Sequence, residues 1–129
     1  MIKFFSKYKI IFYFINFSLI FLYLFPGSLI GFFLYGDLGK QPKLISNPFG
    51  NSINHLIFFF YLSILGFITQ IQHKKIIFSF TFLFCVSIIF ELLHLIIPNR
   101  AFELNDLFAN FIGVVLAFLI FKLIIKLKN

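Results

Sequence analysis

The sequence predicts an all-α membrane protein: four transmembrane helices in a small bundle, with both termini in the cytoplasm. Three observations carry this reading. Residues of the set AVILMFWYC make up 61% of the 129-residue chain and charged residues only 12%, against about half and about a quarter in soluble domains. The mean hydropathy is +1.05, and 24 residues are Phe, more apolar surface than one small soluble core can hide. The apolar residues are gathered into four stretches bounded by charge, Pro or Gly, and a spanning helix needs about 20 such residues to cross a hydrocarbon core of about 30 Å. The composition argues against an ordinary cytoplasmic enzyme, a disordered chain and a disulfide scaffold. The single cysteine, Cys85, sits in an apolar run, where it reads as a small hydrophobe.

The first helix is expected over about residues 10–25, ended by Pro26-Gly27. Its basic start at Lys3, Lys7 and Lys9 is that of a signal sequence, but the apolar region is long and no small-x-small cleavage site follows, so an uncleaved helix is expected. Residues 26–53 form an outer loop. Within it, 28–35 is apolar enough to extend the first helix or to lie in the interface, and the remainder, GDLGKQPKLISNPFGNS, is rich in turn residues. The second helix is expected over about 54–71, the third over about 76–97 with Pro98 as its stop, and the fourth over about 107–125. All four belong to a single domain over 1–129.

Lysine placement orients the bundle, because cytoplasmic loops collect basic residues. With the N-terminus inside, the inner side holds Lys3, Lys7, Lys9, Lys74, Lys75, Lys122, Lys126 and Lys128, and the outer side holds Lys40, Lys43 and Arg100. His73-Lys74-Lys75 is then an inner hairpin. The net charge of +7 is accounted for by topology, so membrane lipids are the expected partners and nucleic acid is not. Asp37, Glu103 and Asp106 fall outside, and Glu91 alone of the four acids falls within a span.

The polar residues near the outer ends fall at one depth. Glu91 lies six residues before the end of the third helix, about 9 Å deep at 1.5 Å per residue, and His94 follows on the same face. Arg100 comes just after the Pro98 stop, Asp106 caps the fourth helix, Asn110 lies one turn below it, and His55 opens the second helix from the same side. An intramembrane carboxylate costs several kcal/mol unless paired, hydrated or protonated, and by default marks a site. Arg100 or His55 is its natural partner. Each residue also has a plainer reading: Glu91 and Arg100 as an ion pair joining two helix ends, His94 as an interfacial histidine, Asp106 as a helix cap, Arg100 as an interfacial anchor. Asp106, Asn110, Gly113 and Ala117 form one stripe at i, i+4, i+7, i+11, whose Gly113 and Ala117 make a small-xxx-small packing face. His55, Phe59, Leu62 and Gly66 form a similar stripe. The two would converge on the Glu91 face as a polar cavity open outward. Glu91 and His94 have the ExxH spacing of di-metal bundles, but a second motif is missing. A mononuclear set of His55, Glu91, His94 and Asp106 is the alternative to a pocket without metal, and no cofactor or metal is expected.

The run ELLHLIIPNRAFELNDLFANFIG, residues 91–113, resembles the signature of VanZ-like membrane proteins. That pattern has a Glu, commonly a Gln three residues on, a Pro-Gly-Arg-like turn, an Asp six after the Arg, an Asn four later and a Gly three further. Glu91, Arg100, Asp106, Asn110 and Gly113 match it in type and spacing. Residues 51–55, NSINH, resemble the DKxxHF segment of that family. The chain departs from the pattern at His94 for Gln, Asn99 for Gly, and Asn51-Ser52 for Asp-Lys. The resemblance implies an integral protein of the bacterial cytoplasmic membrane, in a family whose namesake is linked to teicoplanin tolerance. It implies a setting rather than a reaction.

Three functions compete on these residues. In the first, a pocket of His55, Glu91, His94, Arg100, Asp106 and Asn110 binds an anionic lipid-linked or glycan ligand such as a cell-wall precursor. Arg100 pairs the anion, Asp106 and Asn110 orient it, and Glu91 holds Arg100. In the second, Glu91 is the catalytic acid or base of a membrane hydrolase or transferase, with Arg100 stabilising developing charge. In the third, the chain is a structural or regulatory subunit, the polar groups serving helix packing. A homo-oligomer is compatible with each.

Overall fold

The computed structural model describes residues 9–42, 50–70 and 76–128. Among these residues the chain is all helical, with five helices and no strand: α1 Lys9–Leu24, α2 Leu29–Tyr35, α3 Gly50–Gln70, α4 Ile76–Leu93 and α5 Leu104–Lys128. The expected hairpin at His73-Lys74-Lys75, and Lys3, Lys7 and Lys43 of the charge count, lie outside the described residues. One helix, α5, is long and apolar enough by itself to cross a membrane; α1 and α2 together pass the same test as a pair bent by 74°. The apolar parts of α3 and α4 are shorter, Ser52–Phe67 and Phe80–Leu93.

The differences from the expected helices have local causes. The turn at Pro26-Gly27 ends α1, and residues 29–35 start a separate helix instead of extending it. Ser28 caps α2, its Oγ accepting from Gly31 N at 2.9 Å, and Ser28 N donates to Leu38 O at 2.7 Å. Gly27 has φ +94°, and a Cβ there would sit 2.6 Å from Leu38 O, so the bend requires glycine. At the other end of the bundle, α4 stops at Leu93 rather than 97. The N–H groups of His94, Leu95 and Ile96 bond to carbonyls three residues back, tightening the chain before Pro98, whose predecessor is disfavoured in a helix. Asn99 then takes φ 60°, a left-handed conformation Asn tolerates better than most residues. α5 starts at Leu104 rather than 107 because Glu103 O accepts from both Asp106 N and Leu107 N. α3 starts at Gly50 rather than 54, which brings Ser52 into the helix.

The core is built on α3 against α5, joined by Leu83 of α4 and Tyr23 of α1. Phe59, Leu62 and Phe67 of α3 face Val114, Ala117 and Phe121 of α5, all buried. The two stripes read from sequence are these facing surfaces, with His55 and Phe59 buried on one and Asp106, Asn110, Gly113 and Ala117 on the other. Gly113 sets their spacing: a Cβ there would lie 2.5 Å from Leu56 O and 3.0 Å from Phe60 N, so the backbones approach closely because no side chain intervenes. The opposite faces are also apolar. Phe14, Phe17, Leu119 and Leu123 are more than half exposed, a distribution that water would penalise and hydrocarbon would not.

Candidate functional site

Where α1, α3, α4 and α5 meet at one end of this core, their polar side chains form a single buried network. Its centre is the hydroxyl of Tyr23, near the end of α1. Tyr23 Oη donates to Glu91 Oε2 at 2.9 Å, accepts from Asn110 Nδ2 at 3.0 Å, and lies 3.0 Å from His55 Nδ1. Asn110 Nδ2 also donates to Glu91 Oε2 at 3.3 Å. The other carboxylate oxygen of Glu91 accepts from Glu103 N at 3.2 Å and lies 3.6 Å from His94 Nδ1. Glu91 and Asn110 are fully buried; these partners offset the desolvation of the carboxylate and of Asn110 Nδ2, while Asn110 Oδ1 has no hydrogen-bond partner among the described residues.

His55 links this centre to a second carboxylate. Its Nε2 is 3.4 Å from Asp106 Oδ2, and Asp106 Oδ1 accepts from Ser52 Oγ at 2.6 Å. Asp106 is therefore not a cap. It sits in the first turn of α5 and turns its carboxylate across to α3. The Tyr23 hydroxyl has one proton, given to Glu91, so His55 Nδ1 must donate to it, while Nε2 faces a carboxylate.

Above the network lies a cavity of about 750 Å³, its walls including His55, His94, Arg100, Asp106, Glu103 and Lys40. Arg100 reaches it from the turn after Pro98. Its Nε donates to Phe25 O at 3.1 Å, and no carboxylate comes within ion-pair distance of it among the described residues. Burial pushes the guanidinium pKa below its ordinary value and the nearby Glu91 and Asp106 push it back up. Arginine stays charged under either influence.

Of the six residues expected to form one pocket, five meet in or beside the network: His55, Glu91, His94, Asp106 and Asn110. Arg100 shares the cavity but not the network. The expected Glu91–Arg100 pair is corrected: Tyr23, Asn110, His55 and a backbone N–H occupy the carboxylate. Glu91 also does not line the cavity; it lies behind Tyr23 and His55, and the acids and bases on the wall are His55, His94, Glu103 and Asp106. The four groups weighed for a mononuclear metal are not arranged for one, since among the described residues no three His, Cys, Asp or Glu groups could hold an ion. Sequence reasoning missed Tyr23. Its signal was position, a polar-tipped aromatic three residues before Pro26, at the end of one helix where the chain turns back toward the start of the helix that carries His55, but the 22% aromatic content conceals it. It also treated Ser52 only as a departure, whereas Ser52 anchors Asp106.

Among known proteins, the model of the VanZ/LLP1 family matches residues 4–125, nearly the whole chain. No curated protein and no solved structure matches it.

Proposed function

The chain belongs to the VanZ/LLP1 family, and from that premise we propose a multi-pass protein of the bacterial cytoplasmic membrane whose outward-facing polar pocket binds an anionic lipid-linked or glycan ligand. Four spans with both termini inside are supported by the lysine distribution and by helices that are apolar on their outer faces. The bend between α1 and α2 is read as a break in the first span, and the tight turn after Leu93 as the outer end of the third.

One observation carries the ligand reading: a charged guanidinium, at Arg100, borders a large cavity without a carboxylate partner among the described residues. A half-buried cation left in this state is poised for a bidentate phosphate or carboxylate. Lys40 on the same wall adds positive charge, and His55, His94 and Asp106 supply hydrogen bonds. Glu91 and Asn110 act from behind, fixing Tyr23 and His55. Teicoplanin tolerance belongs to the same proposal as its cellular consequence. The test is native mass spectrometry of the full chain purified in mild detergent. The wild type should retain an anionic molecule that Arg100→Ala loses while still inserting; equal retention by both overturns the reading.

One observation favours a second, enzymatic reading. Asp106 orients His55 at the cavity wall, an arrangement suited to general acid–base work. Under it, His55→Gln retains ligand and forms no product, and turnover at the wild-type rate in that variant rejects it.

A further inference from the structure

Resting on the anionic-ligand reading, we infer that the ligand is a membrane lipid whose acyl chain lies in an apolar groove continuous with the polar cavity. The groove, of about 490 Å³, runs across the α1–α2 elbow and along α3, and shares Gln41, His55 and Arg100 with the polar cavity. Both volumes fall in the range of small-molecule sites. One ligand with a charged head and a hydrocarbon tail fits the pair, with its head-to-tail junction at Arg100.

The groove is built for hydrocarbon. Its walls are side chains such as Leu19, Leu22, Ile30, Ile57 and Phe58. Its polar groups are mostly answered from within the protein. Asn54 Nδ2 donates to Pro42 O at 2.8 Å, Ser28 Oγ accepts from Gly31 N, and Tyr23 Oη is consumed by the buried network. These groups ask nothing of an occupant, and the charge that does, Arg100, stands at the end where the groove joins the cavity. A soluble glycan would leave the groove empty. Leu22 and Ile57 are also exposed on the outer surface of α1 and α3, so the groove opens sideways, where lipid tails would surround it. A tail gains little by moving from bilayer to groove, because lipid is as apolar as leucine. Headgroup contacts at Arg100 therefore set affinity, and the groove sets which molecules can bring a head there.

The test uses the full chain in nanodiscs of mixed phosphatidylcholine and phosphatidylglycerol, with retained lipid read by native mass spectrometry. sn-Glycerol 3-phosphate, titrated in parallel, probes the head site alone. The wild type should retain phosphatidylglycerol in excess. Ile57→Trp and Leu19→Trp, which fill the groove and replace no residue of the hydrogen-bond network, should each lower that retention about tenfold and leave glycerol phosphate binding unchanged. Arg100→Gln should lower both. Thermal unfolding selects whichever tryptophan variant stays folded. Wild-type retention in both tryptophan variants, with loss in Arg100→Gln, overturns the groove and leaves the pocket standing. Wild-type retention and glycerol phosphate binding in Arg100→Gln overturn the pocket and the groove together.

Discussion

Replacing Tyr23 with Phe removes one oxygen from the most connected point of the network and little else. The ring would keep its packing against Phe58 and Phe59, at 4.5 and 5.4 Å between centroids, and its stacking on His94 at 4.9 Å. The hydroxyl's bonds to Glu91 and Asn110 and its contact with His55 would go. A hydrogen bond to a charged group contributes about 1.5–3 kcal/mol in water-soluble proteins. Cycles in a membrane protein average about 0.6 and reach about 1.7 kcal/mol, because helices separated in lipid find other partners. Glu91 keeps its local neighbours, His94 and Glu103 N, when the helices part, so only the interhelical share is at stake. We expect a coupling between Tyr23 and Glu91 of about 1.5 kcal/mol, at the upper end of the membrane range because the acceptor is a fully buried carboxylate. The assay is a double-mutant cycle of Tyr23→Phe, Glu91→Gln and the double variant, unfolded in mixed micelles. Additivity of independent sites holds to about 0.3–0.5 kcal/mol. A coupling no larger than that would refute Tyr23 as the centre of the network.

Two other expectations follow from the same geometry. Gly113→Ala should be destabilising at or beyond the upper end of the overpacking range, about 1–3 kcal/mol, because its Cβ meets the α3 backbone on two sides; Gly66→Ala should cost much less, since its nearest neighbour is the Leu83 Cδ1 methyl at 3.2 Å. Equal melting temperatures for the two variants would contradict this. Nitrogen-15 NMR of labelled histidine should find hydrogen on His55 Nδ1, and a bare Nδ1 would show that the donor count assigned to Tyr23 is wrong.

Much of this was legible in the sequence, and the unread part has a common cause. Periodicity fixed the two stripes because burial of His55, Phe59 and Leu62 against Asp106, Asn110 and Gly113 repeats every third or fourth residue, and a helix can satisfy such a repeat with one face. Helix ends were displaced where hydrogen bonding outvoted composition. Residues 50–53 look like a loop by their Gly and Asn content, yet Ser52 enters α3 and bonds to Asp106, 54 residues away. The bend at Pro26 was visible as an interruption, but its angle depends on Leu38 O meeting Gly27, a contact between residues that no pattern pairs. The site was read as a set of residue types at one depth, and depth brought the right groups together. Pairing was half read: of the two partners expected for Glu91, His55 is beside it and Arg100 is not, and geometry adds a phenol and an amide that charge counting ignores.

That substitution of partners separates two roles that the sequence would have merged. A buried carboxylate tied to arginine makes both residues structural, since removing either strands the other, at about 3–5 kcal/mol. Here Glu91 is satisfied without Arg100, and among the described residues Arg100 is held by the carbonyl of Phe25. Stability therefore resides in Tyr23, Glu91, Asn110 and His55, and removing the guanidinium costs one hydrogen bond from a charged donor, about 1.5–3 kcal/mol when buried and less where water reaches it. A residue tied to the fold through one backbone carbonyl, which brings a guanidinium to the wall of a cavity, is better explained by what it binds than by what it supports. Variants at Arg100 and variants in the network should accordingly differ in kind, the former losing ligand in a folded protein and the latter losing the fold first. Arg100→Ala unfolding as readily as Tyr23→Phe would return the arginine to the role of an anchor.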